Sequence, residues 1–455
     1  MKHNVFFLRP LALTLALAAF STCAAMAQDA PAAPPPSLDF FTGQAKSPPN
    51  TIQWVSSIAV SSPDYCSNIK GDTTVTFTAP NLTHFKVLCW QQPTPDNPSP
   101  WGHDAVVAAD VKPDLSGDSY SFDFNADKFP NGPIIIRIFG KSDDGKKQDM
   151  CQLQVYNQGG VVWNQGIPKT DPPAAQGMKL VFSDDFDKLP AMSHDGIGAT
   201  YETHKTGGGD FSDYGLCPFT DSESPLNPYS QVGTFLRIHA TVAHGGEKGS
   251  TGLLSSLHED GTGFTATAPC YFECRFLAQS SPGTWPAFWL LTQEPKGGKG
   301  ADELDVIEAY GGLGAGNPNF FNYAATSHWW DQPTPSWATK GSPDFVNEGH
   351  IDVPMVDLGG KSSWSTTFHT YGILITKTDT VYYLDDIEVL RHPTLPHSQE
   401  KPFWFLINYA LGGISGWKIH MDRYNYQTDM WVDYVRVYAA APSVTPASSG
   451  APAAP

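Results

Sequence analysis

The stretch Glu303-Leu304-Asp305-Val306-Ile307-Glu308 sets three carboxylates among three apolar residues. Buried acids are costly unless they are paired or used. Alternate residues of a β-strand share a face, which puts Glu303 and Asp305 on one side and Leu304 on the other. Glu308 breaks that parity. One extra residue absorbed as a β-bulge at Val306-Ile307 restores it, and bulges are frequent beside active sites, where they re-aim a side chain. A helix serves the pattern poorly, because at about 100° per residue the acids fall at roughly 0°, 200° and 140°. The loop Lys296-Gly297-Gly298-Lys299-Gly300 and the turn Gly311-Gly312-Leu313-Gly314 are strand punctuation on either side.

Working outward, the chain has 455 residues, enough for two or three domains. Its formal net charge of -18 argues against a nucleic-acid partner, since phosphate binding depends on Lys and Arg. A neutral partner fits better. The 13 Trp, 17 Tyr and 26 Phe accompany 41 Gly and 39 Pro, and many aromatics with many turn formers point to an all-β chain.

The first 27 residues form a signal peptide: Lys2 and Arg9 give a positive start, Leu11 to Phe20 is apolar, and Ala25-Met26-Ala27 offers a cleavage site. A secreted or periplasmic location follows, with lipidation at Cys23 as the competing reading. No later apolar run is long enough to span a bilayer. Cleavage leaves Cys66, Cys89, Cys151, Cys217, Cys270 and Cys274. There is no paired C-x-x-C array, so a metal cluster is not expected, and Cys89 with Cys151 is a plausible disulfide between strands. Residues 28–50 are Pro- and Ala-rich and read as a linker. Runs such as Thr73 to Thr78, His84 to Trp90, Tyr120 to Phe124, Ile134 to Phe139 and Cys151 to Val155 suggest a small immunoglobulin-like β-sandwich over 51–158. A second connector, 159–177, carries Pro168, Pro172 and Pro173. The main domain, 178–440, is strand-like throughout and is expected to have its own core, and 441–455 reads as a disordered Pro/Ala-rich tail.

Five segments of the main domain matter together: Leu180 to Asp187, Gly283-Thr284-Trp285-Pro286-Ala287-Phe288-Trp289-Leu290, the acidic strand, Phe403 to Gly413, and Val432 to Tyr438. In that order they resemble glycoside hydrolase family 16, in its laminarinase-like E-x-D-x-x-E branch. The resemblance covers about Met178 to Ala440. It implies a concanavalin-like jelly roll of two curved antiparallel sheets, with a sugar-binding cleft on the concave face.

By that likeness Glu303 is the nucleophile, Glu308 the general acid/base and Asp305 the assisting carboxylate between them. The chemistry asks for the same division, since one acid must be ionised to attack and the other protonated to release the leaving group. With the bulge, the glutamates stand about four rises of 3.3 Å apart at the backbone, and side chains leaning inward close much of that. Retaining enzymes need about 5–5.5 Å between carboxyls and inverting ones roughly 6.5–9.5 Å. A solvated acidic face or a calcium site is the bland alternative, and the apolar Leu304, Val306 and Ile307 tell against it.

Trp285 and Trp289, four apart, share a strand face and suit stacking on sugar rings, with core packing as the competing role. His328 matches a position where this family often has a histidine near the carboxylates. Asn408 matches a cleft position, and Gly412-Gly413 a turn. Asp433 matches an acid that ligates a structural calcium in some relatives, while calcium itself wants six to eight oxygens, so a plain aspartate competes. No cofactor is expected for catalysis. The resulting expectation is a secreted, monomeric retaining endo-glycosidase acting on a β-1,3- or mixed β-1,3-1,4-glucan. An agarase- or carrageenase-like galactanase, an enzyme trimming exported polysaccharide, and a non-catalytic carbohydrate-binding envelope protein are the alternatives.

Overall fold

The computed structural model of the chain describes residues 53–109, 111, 119–204, 216–294, 300–311, 322–330, 332, 333, 335, 348–354, 363–412 and 418–440. The expected leader, the linker 28–50, the tail from 441, the loop residues 296–299, and Gly312, Gly314 and Gly413 lie outside the described residues.

Between residues 53 and 157 the strand-like runs become Asp72–Thr78, His84–Gln91, Ser119–Asn125, Gly132–Lys141 and Lys147–Asn157. With four further strands they form a six-stranded and a three-stranded sheet. Alternation decides the packing: Val75 and Phe77 face inward and are buried, and Phe77 meets Phe85 of the other sheet with ring centroids 5.2 Å apart. The plausible Cys89–Cys151 disulfide is absent. Strand Gly132–Lys141 runs between the two residues, pairing Cys89 with Ile136 and Cys151 with Ile138. Two strand spacings of about 4.8 Å exceed the reach of a disulfide, about 7 Å between Cα atoms. All six described cysteines are free, and the Cys151 thiol instead lies 3.0 Å from the Tyr65 hydroxyl.

The remainder is a sandwich of two eight-stranded sheets. One runs in the order Met192–Ser193, Tyr201–Glu202, Leu253–Ser255, Phe403–Leu411, Thr284–Thr292, Asp302–Glu308, Asn322–Trp329, Glu348–Pro354. The other centres on Gln427–Ala439, flanked by Phe235–Thr241 and Cys270–Ala278. Their inner faces supply Leu304, Val306, Ile307, Phe288, Leu290 and Phe405 from one side and Phe272, Phe276, Ile373, Val435 and Val437 from the other, all buried. The first of these sheets therefore turns Glu303, Asp305 and Glu308 away from the core.

The two sandwiches are not separately cored. Strand Lys147–Asn157 buries both of its faces. Cys151, Leu153 and Val155 pack into the apolar cluster, while Asp149, Gln152 and Gln154 are buried against the C-terminal sandwich. Asp149 Oδ2 accepts from Arg423 at 2.7 Å and from the amides of Ser57 and Ile58 at 2.9 and 2.8 Å. Gln152 accepts from the Ser280 amide at 2.9 Å and donates to Ser365 Oγ at 3.0 Å. Tyr65 meets Tyr424 edge-on at 5.1 Å. The connector is pinned as well: the Gly166 amide donates to Asp433, Arg436 to the Thr170 carbonyl and Tyr438 to Asp171. Sequence reading missed this seam because its contacts join residues far apart in the chain and follow no periodicity.

Removing one partner of a buried ion pair typically costs about 3–5 kcal/mol. Asp149→Ala is expected to destabilise the chain on that scale and to shift one common denaturant transition. Two separate transitions, of which only one moves, would show that the sandwiches unfold independently.

Candidate active site

The acidic strand carries the expected bulge. Against Thr284–Thr292 the register runs Leu291–Glu303, Leu290–Leu304, Trp289–Asp305, and then slips to Phe288–Ile307 and Ala287–Glu308. The same slip appears against Asn322–Trp329, between Asp305–Thr326 and Glu308–Ala324. Val306 and Ile307 are 1% and 0% exposed, so the extra residue is absorbed by burying two consecutive apolar side chains. The parity changes there, and all three acids meet on the opposite face. Below them Asp302 is wholly buried and anchors the strand, accepting from the amide and hydroxyl of Ser398 at 2.7 Å each and from Gln332 at 2.6 Å.

Each acid has a distinct neighbour. Trp285 Nε1 donates to Glu308 Oε1 at 2.9 Å, and Trp330 Nε1 donates to Glu303 Oε2 at 2.9 Å. His328 Nε2 lies 3.0 Å from Asp305 Oδ2, and a polar atom from each of Glu303, Asp305 and His328 falls within 4.8 Å of the others. The Glu308 carboxyl is held well above its ordinary value, first by burial and then by the charges of Asp305 and Glu303, against the lowering effects of His328 and the Trp285 hydrogen bond. Proton loss from Glu308 would place a further negative charge in a confined site beside two others. The arrangement thus holds one carboxyl as an acid beside a second that accepts a hydrogen bond.

The two tryptophans separate. Trp285 is half-buried, with its ring 5.5 Å from that of Tyr310. Trp289 is 9% exposed and packs with Leu253, Ala287, Leu291, Trp404 and Leu406, donating to Asn408 Oδ1 at 2.7 Å. Asn408 is itself buried and orients that indole. Trp330 escaped the sequence reading. It is 46% exposed and stacks on His328 at 4.8 Å and 8° between planes. Two-residue spacing from His328 was the available signal, since it places both rings on one strand face.

Asp433 is elsewhere, buried at the seam. One oxygen is paired with Arg275 and the other accepts the Gly166 amide at 2.8 Å. Burial raises its carboxyl, opposed first by the Arg275 charge. A guanidinium and an amide are donors, so this set does not fit a calcium ion, which needs several oxygen acceptors.

Trp289→Ala should chiefly destabilise, by about 3–5 kcal/mol for a truncated core Trp, whereas Trp285→Phe should leave the melting temperature close to wild type and weaken saccharide binding; calorimetry and titration of an oligosaccharide separate the two. Linkage gives a second expectation. Glu308 is raised in the folded state, so stability is fully present below its unfolded value and is lost as pH rises through the folded one. Glu308→Gln should therefore raise the melting temperature at pH 7 and above, with no gain at pH 4.

Residues 258–418 match the model described as Glycosyl hydrolases family 16. The chain is 30% identical over 229 residues to the Endo-1,3-1,4-beta-glycanase ExsH of Rhizobium meliloti (strain 1021), a match covering 49% of this chain and 42% of that protein. It is 29% identical over 269 residues to the Endo-1,3-1,4-beta-glycanase EglC of the same organism, covering 57% of this chain and 51% of that one. The chain thus spans about half the length of the curated relatives it matches. A solved laminarinase from Rhodothermus marinus is 23% identical with a TM-score of 0.42, covering 58% of this chain and 97% of that one. The matched span holds Thr284–Thr292, Asp302–Glu308, Asn322–Trp329 and Phe403–Leu411, so the likeness to Glycosyl hydrolases family 16 falls on the strands that carry the carboxylates and their partners.

Proposed function

We propose that this chain is an exported endo-glucanase that hydrolyses β-1,3- or mixed β-1,3-1,4-glucan by a retaining double displacement. The observation that carries the reading is the Glu308 carboxyl, its proton affinity raised by burial and by Asp305 and Glu303, on the same sheet face as Glu303. The choice of glucan is supported by what the Rhizobium meliloti relatives are called. Export rests on the N-terminal charge and apolar run.

In the first step Glu303 attacks the anomeric carbon while Glu308 gives its proton to the departing glycosidic oxygen. Trp330 orients Glu303 by donating to its Oε2. Trp285 occupies one Glu308 oxygen and leaves the other for the proton. Once Glu303 is esterified its charge is gone, which lowers the cost of ionising Glu308. Glu308 then takes a proton from water, and that water releases the sugar with its configuration retained. Asp305, beside His328, tunes the pair by its charge.

Glu308→Ala should lower kcat on a glucan by about 10²–10⁴-fold, with much less loss on substrates bearing a good leaving group. Azide should rescue Glu303→Ala with inverted product and Glu308→Ala with retained product. Proton NMR of the first product decides: net inversion by the unaltered enzyme sinks the double displacement, and exchanged azide outcomes reverse the two roles. Asp305→Asn removes a like charge, so Glu308 loses its proton at lower pH and the alkaline limb of kcat/KM should move toward acid. Cleavage of agarose or carrageenan in preference to laminarin and lichenan would replace the glucanase reading with the galactanase one. Binding without cleavage of all four would favour the envelope protein.

A further inference from the structure

The seam between the sandwiches holds a second group of reactive side chains, on the sheet opposite the carboxylates. Cys66 comes from the first sandwich, where its backbone is held in the left-handed region at φ 61°. His239 and Asp429 are direct cross-strand partners on Phe235–Thr241 and Gln427–Ala439. A thiol sulfur, a ring nitrogen and a carboxylate oxygen from these three lie within 4.8 Å of one another. Asp429 is fully buried, and its Oδ2 makes no hydrogen bond. Buried acceptors are ordinarily satisfied. Cys66 and His239 are half-buried, which leaves an approach from solvent.

We propose that Cys66, His239 and Asp429 form a divalent transition-metal site, best suited to Zn²⁺, that staples the two sandwiches together. Thiolate, imidazole and carboxylate are the donor types zinc takes, whereas Ca²⁺ and Mg²⁺ prefer oxygen alone. The charges also suit a divalent ion. A Cys66 thiolate and the Asp429 carboxylate contribute two negative charges and Arg237 one positive, leaving a net negative site. His239 Nδ1 lies 2.7 Å from Asp429 Oδ1, and Arg237 Nε donates to the same oxygen at 2.8 Å, which fixes the carboxylate. Its Nη2 also lies 3.0 Å from His239 Nδ1, and loading the metal requires that contact to open. Gln154 Oε1, buried and accepting the Asp429 amide at 2.8 Å, lies 3.7 Å from the Cys66 sulfur as a further oxygen beside the site. Metal binding displaces the Cys66 proton to solvent, which couples affinity to pH. Without metal, burial first and the Asp429 charge second keep the thiol well above its ordinary value.

The test uses the full chain with Co²⁺ and Zn²⁺ as probes. One tightly held equivalent is expected, with a thiolate-to-metal charge-transfer band for Co²⁺, and Zn²⁺ should raise the melting temperature as a ligand of the folded state does. Cys66→Ser should abolish the band and lower affinity at least about tenfold, and His239→Gln, at a half-buried position, should likewise cancel the Zn²⁺-induced rise. If Cys66→Ser does not fold, the loss of that rise in His239→Gln is decisive. The proposal is overturned if no charge-transfer band appears, if Cys66→Ser binds as wild type does, or if Glu303→Gln alone removes the ion, which would assign it to the carboxylate cleft.

Discussion

A one-residue slip in the strand Asp302–Glu308 is the constraint on which the site depends. Val306 and Ile307 both enter the core, and only this lets Glu308 join Glu303 and Asp305 on the outer face. A regular strand would leave a choice between burying Glu308 in the apolar interior and exposing Ile307. Either is costly, so the hydrophobic effect that closes the sandwich also enforces the bulge. The geometry of the carboxylates is in this sense a by-product of core packing. The neighbouring strand accommodates the slip at Phe288–Trp289, which keeps the Trp285 indole within reach of Glu308.

Crowded carboxylates divide the labour between them. Glu308 is raised by burial and by its two neighbours, while Glu303 accepts from the Trp330 indole and Asp305 lies beside His328. The rings beside the acids are themselves ordered, His328 against Trp330 and Trp285 against Tyr310. Such a site holds electrostatic strain that the rest of the fold must offset.

The seam between the sandwiches contributes to that rigidity. Gln152 holds the Ser280 amide, and Ser280 Oγ in turn donates to the Gly311 carbonyl, three residues beyond Glu308. A continuous set of hydrogen bonds therefore runs from the N-terminal sandwich to the end of the acidic strand. The N-terminal residues 53–157 are part of the framework that holds the cleft, rather than a tethered spacer.

The sequence by itself determined the all-β class, the strands and the carboxylate face, because side-chain alternation and one parity break are local properties of Glu303 to Glu308. Spacing also put Trp285 and Trp289 on one strand face, and the family resemblance marked His328 as near the acids. Other matters were decided by tertiary structure. Whether Trp289 is open or covered on the carboxylate face depended on Trp404 and Leu406, more than a hundred residues away. Asp433 proved to be the partner of Arg275, and Cys89 and Cys151 were held apart by an intervening strand. Cys66, His239 and Asp429 follow no spacing rule at all, since their proximity comes from a cross-strand register and the docking of another sandwich. Short-range periodicity fixes which way a side chain points, and only folding fixes what it meets there.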